Sequence, residues 1–295
     1  MQELNQKVAK ATKWSMLTEI ISRLIAPITS MVLARLLTPE AFGIVATLTM
    51  IISFAEIFTD AGFQKYLIQH EFENTTDREQ STNVAFWSNF IVSLIIWGLI
   101  KLFCEPLASF VGNPGLGYVI AIACISIPLA AFSSIQSALY KRDFDFKTLF
   151  RVRFVGIFVP LVITIPLALY LRNFWALILG TIAKDVINAV LLTYYSSWKP
   201  SIFYSWKKLN NMFAFSSWSL IEQISIWLTS YLDIFIVGKV LSSYYLGVYR
   251  TSTITVGQIM GIITAATTPV LFSSLSRLQN DGKEFSANVN FRITA

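Results

Sequence analysis

Eight stretches of this sequence are long and apolar enough to cross a lipid bilayer as α-helices. A spanning helix needs about 20 mostly apolar residues. Only 14% of all residues here are charged, compared with about a quarter in a soluble domain. The eight stretches are 14–37, 41–63, 84–104, 116–140, 150–171, 174–195, 212–237 and 244–275. The sequence therefore predicts an all-α, polytopic membrane protein.

The first helix and the hairpin that follows it occur twice in the chain. Trp14–Gly43 aligns without a gap with Trp218–Gly247 at an offset of 204 residues, so that Arg35 matches Lys239. The offset covers six predicted spans, an even number, and both copies would therefore enter the membrane from the same side. Such a parallel repeat has two halves related by an axis along the membrane normal.

The repeat predicts the domain organisation. Two bundles of six helices would need twelve spans, and the sequence contains eight. We expect a complete six-helix bundle in 1–205, the first two helices of an incomplete second bundle in 206–295, and further helices in the complete protein.

The positions of lysine and arginine predict the orientation. With a cytoplasmic N-terminus, and with residues near the helix ends counted in the adjoining loops, 16 of the 23 lie in the two tails and the even-numbered loops and four lie in the odd-numbered loops. The remaining three, Arg23, Lys184 and Arg250, lie inside spans. Because cytoplasmic loops carry the excess of Lys and Arg, we expect a multi-pass membrane protein with its N-terminus in the cytoplasm. The net charge of +6 then indicates contact with membrane lipids and not with nucleic acid.

Residues that bind metals or form disulfides are few. The chain has two cysteines, Cys104 and Cys124, and one histidine, His70, which lies in a polar loop. No disulfide framework or metal cluster can be built from so few, and we predict no metal and no cofactor.

Ionisable and amide side chains recur inside the predicted spans. An ionisable group at mid-membrane costs at least about 2.5–3.5 kcal/mol on insertion scales, so it faces a partner or a water-filled cavity. Because several helices carry such groups, we predict a central aqueous cavity. The residues are Glu19 and Arg23 in span one, Glu56 and Asp60 in span two, Lys184, Asp185 and Asn188 in span six, Glu222 and Asp233 in span seven, and Arg250 in span eight.

Two of these pairs have the spacing of helix neighbours. Glu19 precedes Arg23 by four residues, which suits an ion pair within the helix; the two can neutralise each other, or they can contact a ligand. Glu56 and Asp60 are a like-charge pair at the same spacing, unfavourable unless a cation, a proton or an arginine from span one lies between them. We therefore predict ion or proton coupling at Glu56 and Asp60, and include Glu19, Glu222 and Asp233 as further candidates.

Four segments of the chain resemble a known family. Leu33–Gly43 is similar to the first hairpin of oligosaccharide flippases, which belong to the multidrug/oligosaccharidyl-lipid/polysaccharide exporter superfamily. Asp60–Phe63 is similar to the end of their second helix, and Leu232–Gly238 with Leu246–Tyr249 to helices seven and eight. Tyr140–Phe146 resembles the loop after helix four in the branch that includes colanic-acid and teichuronic-acid exporters.

The resemblance implies a function. Members of this family move an undecaprenyl-pyrophosphate-linked sugar repeat unit from the cytoplasmic to the periplasmic leaflet, by a rocker-switch of two lobes that an ion gradient usually drives. A polysaccharide polymerase and other assembly proteins would be partners. Arg23, Lys184 and Arg250 would supply cations for the pyrophosphate, and Asn188 with neighbouring hydroxyl groups would bind sugar.

Two other functions compete with this one. A cation-coupled multidrug exporter of the same superfamily would favour an acidic, aromatic cavity, and Arg23, Lys184 and Arg250 argue against it. A membrane-embedded glycosyltransferase or polymerase would need a sizeable extramembrane loop with acid/base residues, and the predicted outer loops are short. We therefore predict a transporter and no enzyme.

Overall fold

The computed structural model describes the backbone of residues 2–60 and 62–280, and the side chains of 13–60, 62–212, 220–261 and 264. The described backbone contains twelve α-helices and one π-helical turn, and no strand. The helices are α1 Gln2–Leu36, α2 Pro39–Asp60, α3 Phe63–Gln69, α4 Thr75–Leu102, α5 Cys104–Phe110, α6 Gly117–Ala123, α7 Ser126–Arg142, α8 Phe146–Val159, α9 Ile165–Leu171, α10 Trp175–Tyr195, α11 Trp206–Val240 and α12 Ser243–Asn280; the π-helical turn is Pro160–Thr164. The predicted all-α fold is confirmed.

Seven helical segments within the described residues are long and apolar enough to span a membrane. They correspond to the first seven predicted spans: Lys13–Leu36, Pro39–Asp60, Thr75–Leu102, Gly117–Arg142, Phe146–Leu171, Trp175–Tyr195 and Leu220–Val240. The eighth predicted span, 244–275, falls on α12, and many of its side chains lie outside the described residues. That span stays a prediction.

The chain divides between Thr251 and Ser252 into two compact units. The first holds α1 to α11 and the start of α12, and the described part of the second is the remainder of α12. The predicted bundles, 1–205 and 206–295, stay a prediction.

Span five is interrupted by the π-helical turn. Pro166 has no N–H group and cannot donate to the carbonyl four residues earlier. The N–H of Ile165 donates to the carbonyl of Pro160, five residues back. The turn widens the helix locally, as π-bulges do near functional sites. Pro160 and Thr164 of this turn line a cavity among the helices.

Arg142 fixes the loop that joins spans four and five. Its Nη1 donates to the carbonyl oxygens of Leu67 and His70, each at 2.6 Å, where α3 ends. The guanidinium lies 4.6 Å from the ring centre of Phe72. A guanidinium carries several donors in a planar fork, which allows one side chain to hold both α3 and the chain that follows it.

The two carboxylates of the same loop are also used structurally. Asp143 pairs with Arg78 of α4 at 2.6 Å. Asp145 caps the N-terminus of α8 by accepting from the N–H of Thr148 at 3.1 Å. Asp143 and Asp145 thus hold the loop against α4 and α8.

The two copies of the repeated hairpin touch where α2 and α12 begin. A Cβ on Gly43 would lie 1.9 Å from the carbonyl oxygen of Ser243, and a Cβ on Gly247 would lie 1.6 Å from that of Pro39. Gly43 and Gly247 are equivalent positions of the repeat, and so are Pro39 and Ser243, because each pair is 204 residues apart. The two contacts are therefore reciprocal. Close approach of two helix backbones at small residues is a common way to pack membrane helices.

Asn113 connects three elements beside this crossing. Its Nδ2 donates to Oγ1 of Thr47 on α2 at 3.2 Å, and its Oδ1 accepts from Oγ of Ser243 on α12 at 2.7 Å. The side chain is buried, so both halves of its amide are satisfied by protein groups. In the predicted orientation this contact lies at the outer ends of the helices.

Candidate functional site

Two polar cavities lie among the helices of the predicted first bundle. The first, of about 490 Å³, is bounded mainly by α1, α8, the π-helical turn and α10. The second, of about 440 Å³, is bounded by α1, α7, α8 and α10. Arg153 and Asn188 line both cavities. Each volume is in the range of small-molecule sites.

The first cavity collects the polar stripes of three helices. Gly156, Pro160 and Thr164 form the wall supplied by span five, and Lys184 and Asn188 come from span six. Span one contributes hydroxyl groups, Ser22, Thr29 and Ser30. The predicted cavity residues Lys184 and Asn188 therefore share one cavity, four residues apart on α10.

Arg153 is the cavity residue that the sequence analysis missed, because it was counted among the loop charges. The structure places it in α8, on the wall of both cavities. The spacing of residues in the sequence indicates this position. Arg153 precedes Gly156 by three residues, so it continues the face formed by Gly156, Pro160 and Thr164.

The second cavity brings further charges toward the predicted cytoplasmic end of the bundle. Lys141 and Asp185 line it together with Arg153 and Asn188. Serine hydroxyls from α7 complete the polar wall. The two cavities thus offer three cationic side chains, Lys141, Arg153 and Lys184.

Glu56 belongs to a charge cluster between α2 and α10. It is partly buried and interacts electrostatically with Asp185, Lys184 and Asp60. The cation that acts on Glu56 is Lys184 of span six, whereas Lys141 and Lys65 act on Asp60. Among the described side chains, no carboxylate lies within the 4.0 Å limit of an ion pair with Lys184. The opposite charges of the cluster attract one another over a longer distance. The amino group of Lys184 therefore keeps its hydrogen-bond donors for a ligand.

Arg23 lies outside both cavities. Its Nε contacts Oε1 of Glu19 at 2.7 Å, so the predicted intrahelical pair is formed. The two side chains are 32% and 49% exposed, which leaves this pair reachable from outside the bundle. The Nη1 of Arg23 is buried and has no hydrogen-bond partner within the described part of the chain.

The remaining predicted residues are paired elsewhere. Glu222 forms an ion pair with Lys65 at 2.6 Å, joining α11 to α3. Asp233 accepts a hydrogen bond from the hydroxyl of Tyr249 at 2.6 Å. Arg250, next to that tyrosine on α12, is partly exposed and interacts with it electrostatically. None of the three lines either cavity.

The arrangement is suited to binding a polar ligand. Among the side chains that the structure describes, no group of three or more His, Cys, Asp or Glu residues is placed to hold a metal ion. The cavities instead combine cations with amide and hydroxyl groups inside an apolar bundle. Such a lining can hold an anionic, hydrogen-bonding ligand away from lipid.

Comparison with known proteins identifies the family. Residues 32–294 match the family model described as "Polysaccharide biosynthesis protein". The chain belongs to this family. The resemblance to polysaccharide exporters that the sequence motifs indicated is thereby confirmed. No solved structure matches the chain.

Several curated relatives in this family are named for cell-surface polysaccharides. The chain is 23% identical to the succinoglycan biosynthesis transport protein ExoT of Rhizobium meliloti, over 93% of this chain and 55% of that protein. It is 20% identical to the lipopolysaccharide biosynthesis protein WzxC of Escherichia coli, over 97% of this chain and 58% of that protein. It is 22% identical to an uncharacterized membrane protein in the cps region of Klebsiella pneumoniae, over 97% of this chain and 59% of that protein. The chain therefore spans between 55% and 59% of these relatives.

Proposed function

We propose that the complete protein moves a lipid-linked oligosaccharide or polysaccharide repeat unit across the bacterial cytoplasmic membrane. The movement would proceed by alternating access and would serve the synthesis of cell-surface polysaccharide. The observation that carries the proposal is the pair of cationic cavities inside an apolar bundle, in a family whose members include a named polysaccharide transport protein. The undecaprenyl-pyrophosphate-linked glycan is the proposed substrate.

The cavities suit the head group of such a lipid. A pyrophosphate needs charge-assisted hydrogen bonds, which Arg153 and Lys184 can donate. Sugar hydroxyls both donate and accept, and Asn188 and the hydroxyl groups of span one offer both kinds of partner. We assign Arg23, which is ion-paired, and Arg250, which lies outside both cavities, to the same substrate. They would contact it between the two predicted lobes.

We assign ion or proton coupling to Glu56 and its neighbours. Three carboxylates and one lysine in a partly buried cluster respond strongly to the arrival of one more cation or proton, because opposite charges attract more strongly in a low-dielectric medium. Neutralising Glu56 would weaken its attraction for Lys184 and free the lysine for an anionic ligand. The other acidic candidates, Glu19, Glu222 and Asp233, are each paired with a neighbour, which makes them weaker candidates.

The test is a translocation assay on the full-length protein in liposomes. A labelled lipid-linked glycan should move between leaflets, and a proton or sodium gradient should accelerate it. Replacing Glu56→Gln should remove the acceleration while leaving glycan binding in place, because the side chain keeps its size and loses its charge. Glu79→Gln is a matched control, since Glu79 lies on α4 outside both cavities.

Two outcomes would count against the proposal. Absence of any glycan movement by the folded wild-type protein would contradict the transport function. Full gradient dependence in the Glu56→Gln variant would contradict the coupling role and leave transport itself standing.

A further inference from the structure

Another cavity differs from these two because its lining is apolar. It lies between α2, α4, α5 and α11, with a volume of about 800 Å³. All its lining side chains are apolar or aromatic, including Phe54, Leu99, Phe110, Trp227 and Phe235. We call it the apolar groove. Since α2, α4 and α11 carry candidate membrane-spanning segments, the groove lies at the depth of the bilayer.

Aromatic rings of α2, α5 and α11 pack in pairs along the apolar groove. The rings of Phe54 and Trp227 lie 4.7 Å apart between centres, and those of Phe110 and Phe235 lie 5.4 Å apart. Trp227 Nε1 donates to Oγ of Ser53 at 3.1 Å. Because its polar atom is satisfied, this ring offers a fixed hydrocarbon surface.

Trp227 belongs to the second copy of the repeat, and its equivalent in the first copy is Arg23, 204 residues earlier. One copy therefore has a cation where the other has an indole ring. The repeated scaffold has been specialised, with a polar residue in the first copy and a lipid-compatible residue in the second. The two chemistries match the two ends of a lipid-linked sugar.

A basic residue marks one end of the apolar groove. The Nζ of Lys239 lies 4.7 Å from the ring centre of Phe110 and 5.7 Å from that of Phe235, both of which line the groove. Lys239 is exposed, and no carboxylate pairs with it among the side chains that the structure describes. The predicted orientation places this end at the outer leaflet, where lipid phosphates lie.

We infer that the apolar groove binds the polyisoprenoid chain of the carrier lipid, with the lipid phosphate at Lys239. The inference rests on the proposed function, because that function supplies a lipid-linked substrate. One continuous groove with one cation at its end matches a lipid with one chain and one phosphate-bearing head. A phospholipid, with two acyl chains, matches it less well. The carrier would thus remain bound by its tail while the sugar crosses between the lobes.

The first test measures lipid binding to the full-length protein by native mass spectrometry. Polyprenyl phosphate should bind more tightly than phosphatidylglycerol. Leu99→Trp fills the groove and should weaken polyprenyl phosphate binding about tenfold or more, as expected when several methylene groups lose their site. Ile95→Trp is the matched control, because Ile95 is similarly exposed one turn earlier on α4 and does not line the groove.

The second test removes the cation without changing the packing of the groove. Lys239→Gln should weaken polyprenyl phosphate binding several-fold and leave binding of the uncharged polyprenol unchanged. Lys101→Gln is its control, since Lys101 lies over Trp97, a ring outside the groove lining. This variant keeps the inference testable if Leu99→Trp fails to fold.

Three results would overturn the inference. They are equal binding by the Leu99→Trp and Ile95→Trp variants, unchanged phosphate binding in Lys239→Gln, and equal affinity for phosphatidylglycerol. The last would identify a site for structural phospholipid. Any of them can occur while glycan translocation persists, so failure here is distinguishable from failure of the proposed function.

Discussion

At the scale of single residues, the cationic side chains of the spans fall into two environments. Arg153 and Lys184 line polar cavities and have no carboxylate within ion-pair distance among the described side chains. Arg23 lies elsewhere on α1, against Glu19. A cation without a close partner keeps its donors for a ligand, whereas a paired cation must exchange one partner for another.

Arg153 provides a sharp test of the cavity. Replacing Arg153→Ala should lower the rate of glycan translocation about tenfold or more, because one charge-assisted hydrogen bond of about 1.5–3 kcal/mol to the head group is lost. Lys184→Ala should act similarly. The measurement is the translocation assay in liposomes, together with thermal stability to confirm folding.

The matched control for this prediction is Arg151→Ala. Arg151 and Arg153 are both exposed and lie two residues apart on α8, but Arg151 lines neither cavity. Equal rates for the Arg151→Ala and Arg153→Ala variants would show that Arg153 contributes only surface charge.

At the scale of elements, the hairpins of the repeat are packed through glycine. The backbones of α2 and α12 approach until a Cβ would overlap a carbonyl oxygen. Asn113 adds hydrogen bonds to both helices beside this point. The starts of α2 and α12 are consequently held together by packing and by a satisfied buried amide, and both contributions depend on small side chains at this crossing.

Gly43→Ala and Gly247→Ala should each destabilise the folded protein by about 1–3 kcal/mol, since the added methyl group meets backbone that cannot rotate away. Thermal unfolding in detergent followed by tryptophan fluorescence measures this. Gly98→Ala should be neutral or slightly stabilising, because no atom lies within 4 Å of its Cβ position and alanine favours a helix. Equal stability of all three variants would show that α2 and α12 tolerate a wider separation.

At the scale of the whole molecule, two basic residues beside the cavities lie near opposite sides of the membrane. In the predicted orientation Lys141 lies at the cytoplasmic end of the polar cavities, and Lys239 lies at the outer end of the apolar groove. A lipid-linked sugar would therefore meet polar groups in the cavities between the helices and an apolar surface on the flank of the bundle. This arrangement depends on the orientation of the chain.

Cysteine labelling in cells checks that orientation. In a variant without native cysteines, Lys147→Cys should react with a membrane-impermeant reagent only after the cells are permeabilised. Arg172→Cys should react in intact cells, because the two loops are predicted to lie on opposite sides. Labelling of Lys147→Cys in intact cells would reverse the orientation and the proposed direction of transport.

Helix positions were largely predictable because each span depends on a local property, the length of an apolar stretch. The third span is an exception. It was expected from residue 84, but its helix begins at Thr75, capped by the side chain of Asn74. Residues 75–83 are polar, but they belong to this helix because contacts with distant residues satisfy their side chains. One example is the 2.8 Å hydrogen bond from Asn83 to Ser201. Such contacts, between residues distant in sequence, leave no local signal.

The sequence by itself determined that this chain crosses the membrane repeatedly, that it contains a repeated hairpin, and which spans carry polar groups. Apolar length, spacing and residue type are sufficient for those conclusions. Only the tertiary structure decided that Lys184 and Asn188 share a cavity with Arg153, and that Arg23 lies apart from them. The rotation of each helix about its axis decides which stripes meet, and that rotation is set by packing against helices far away in the chain.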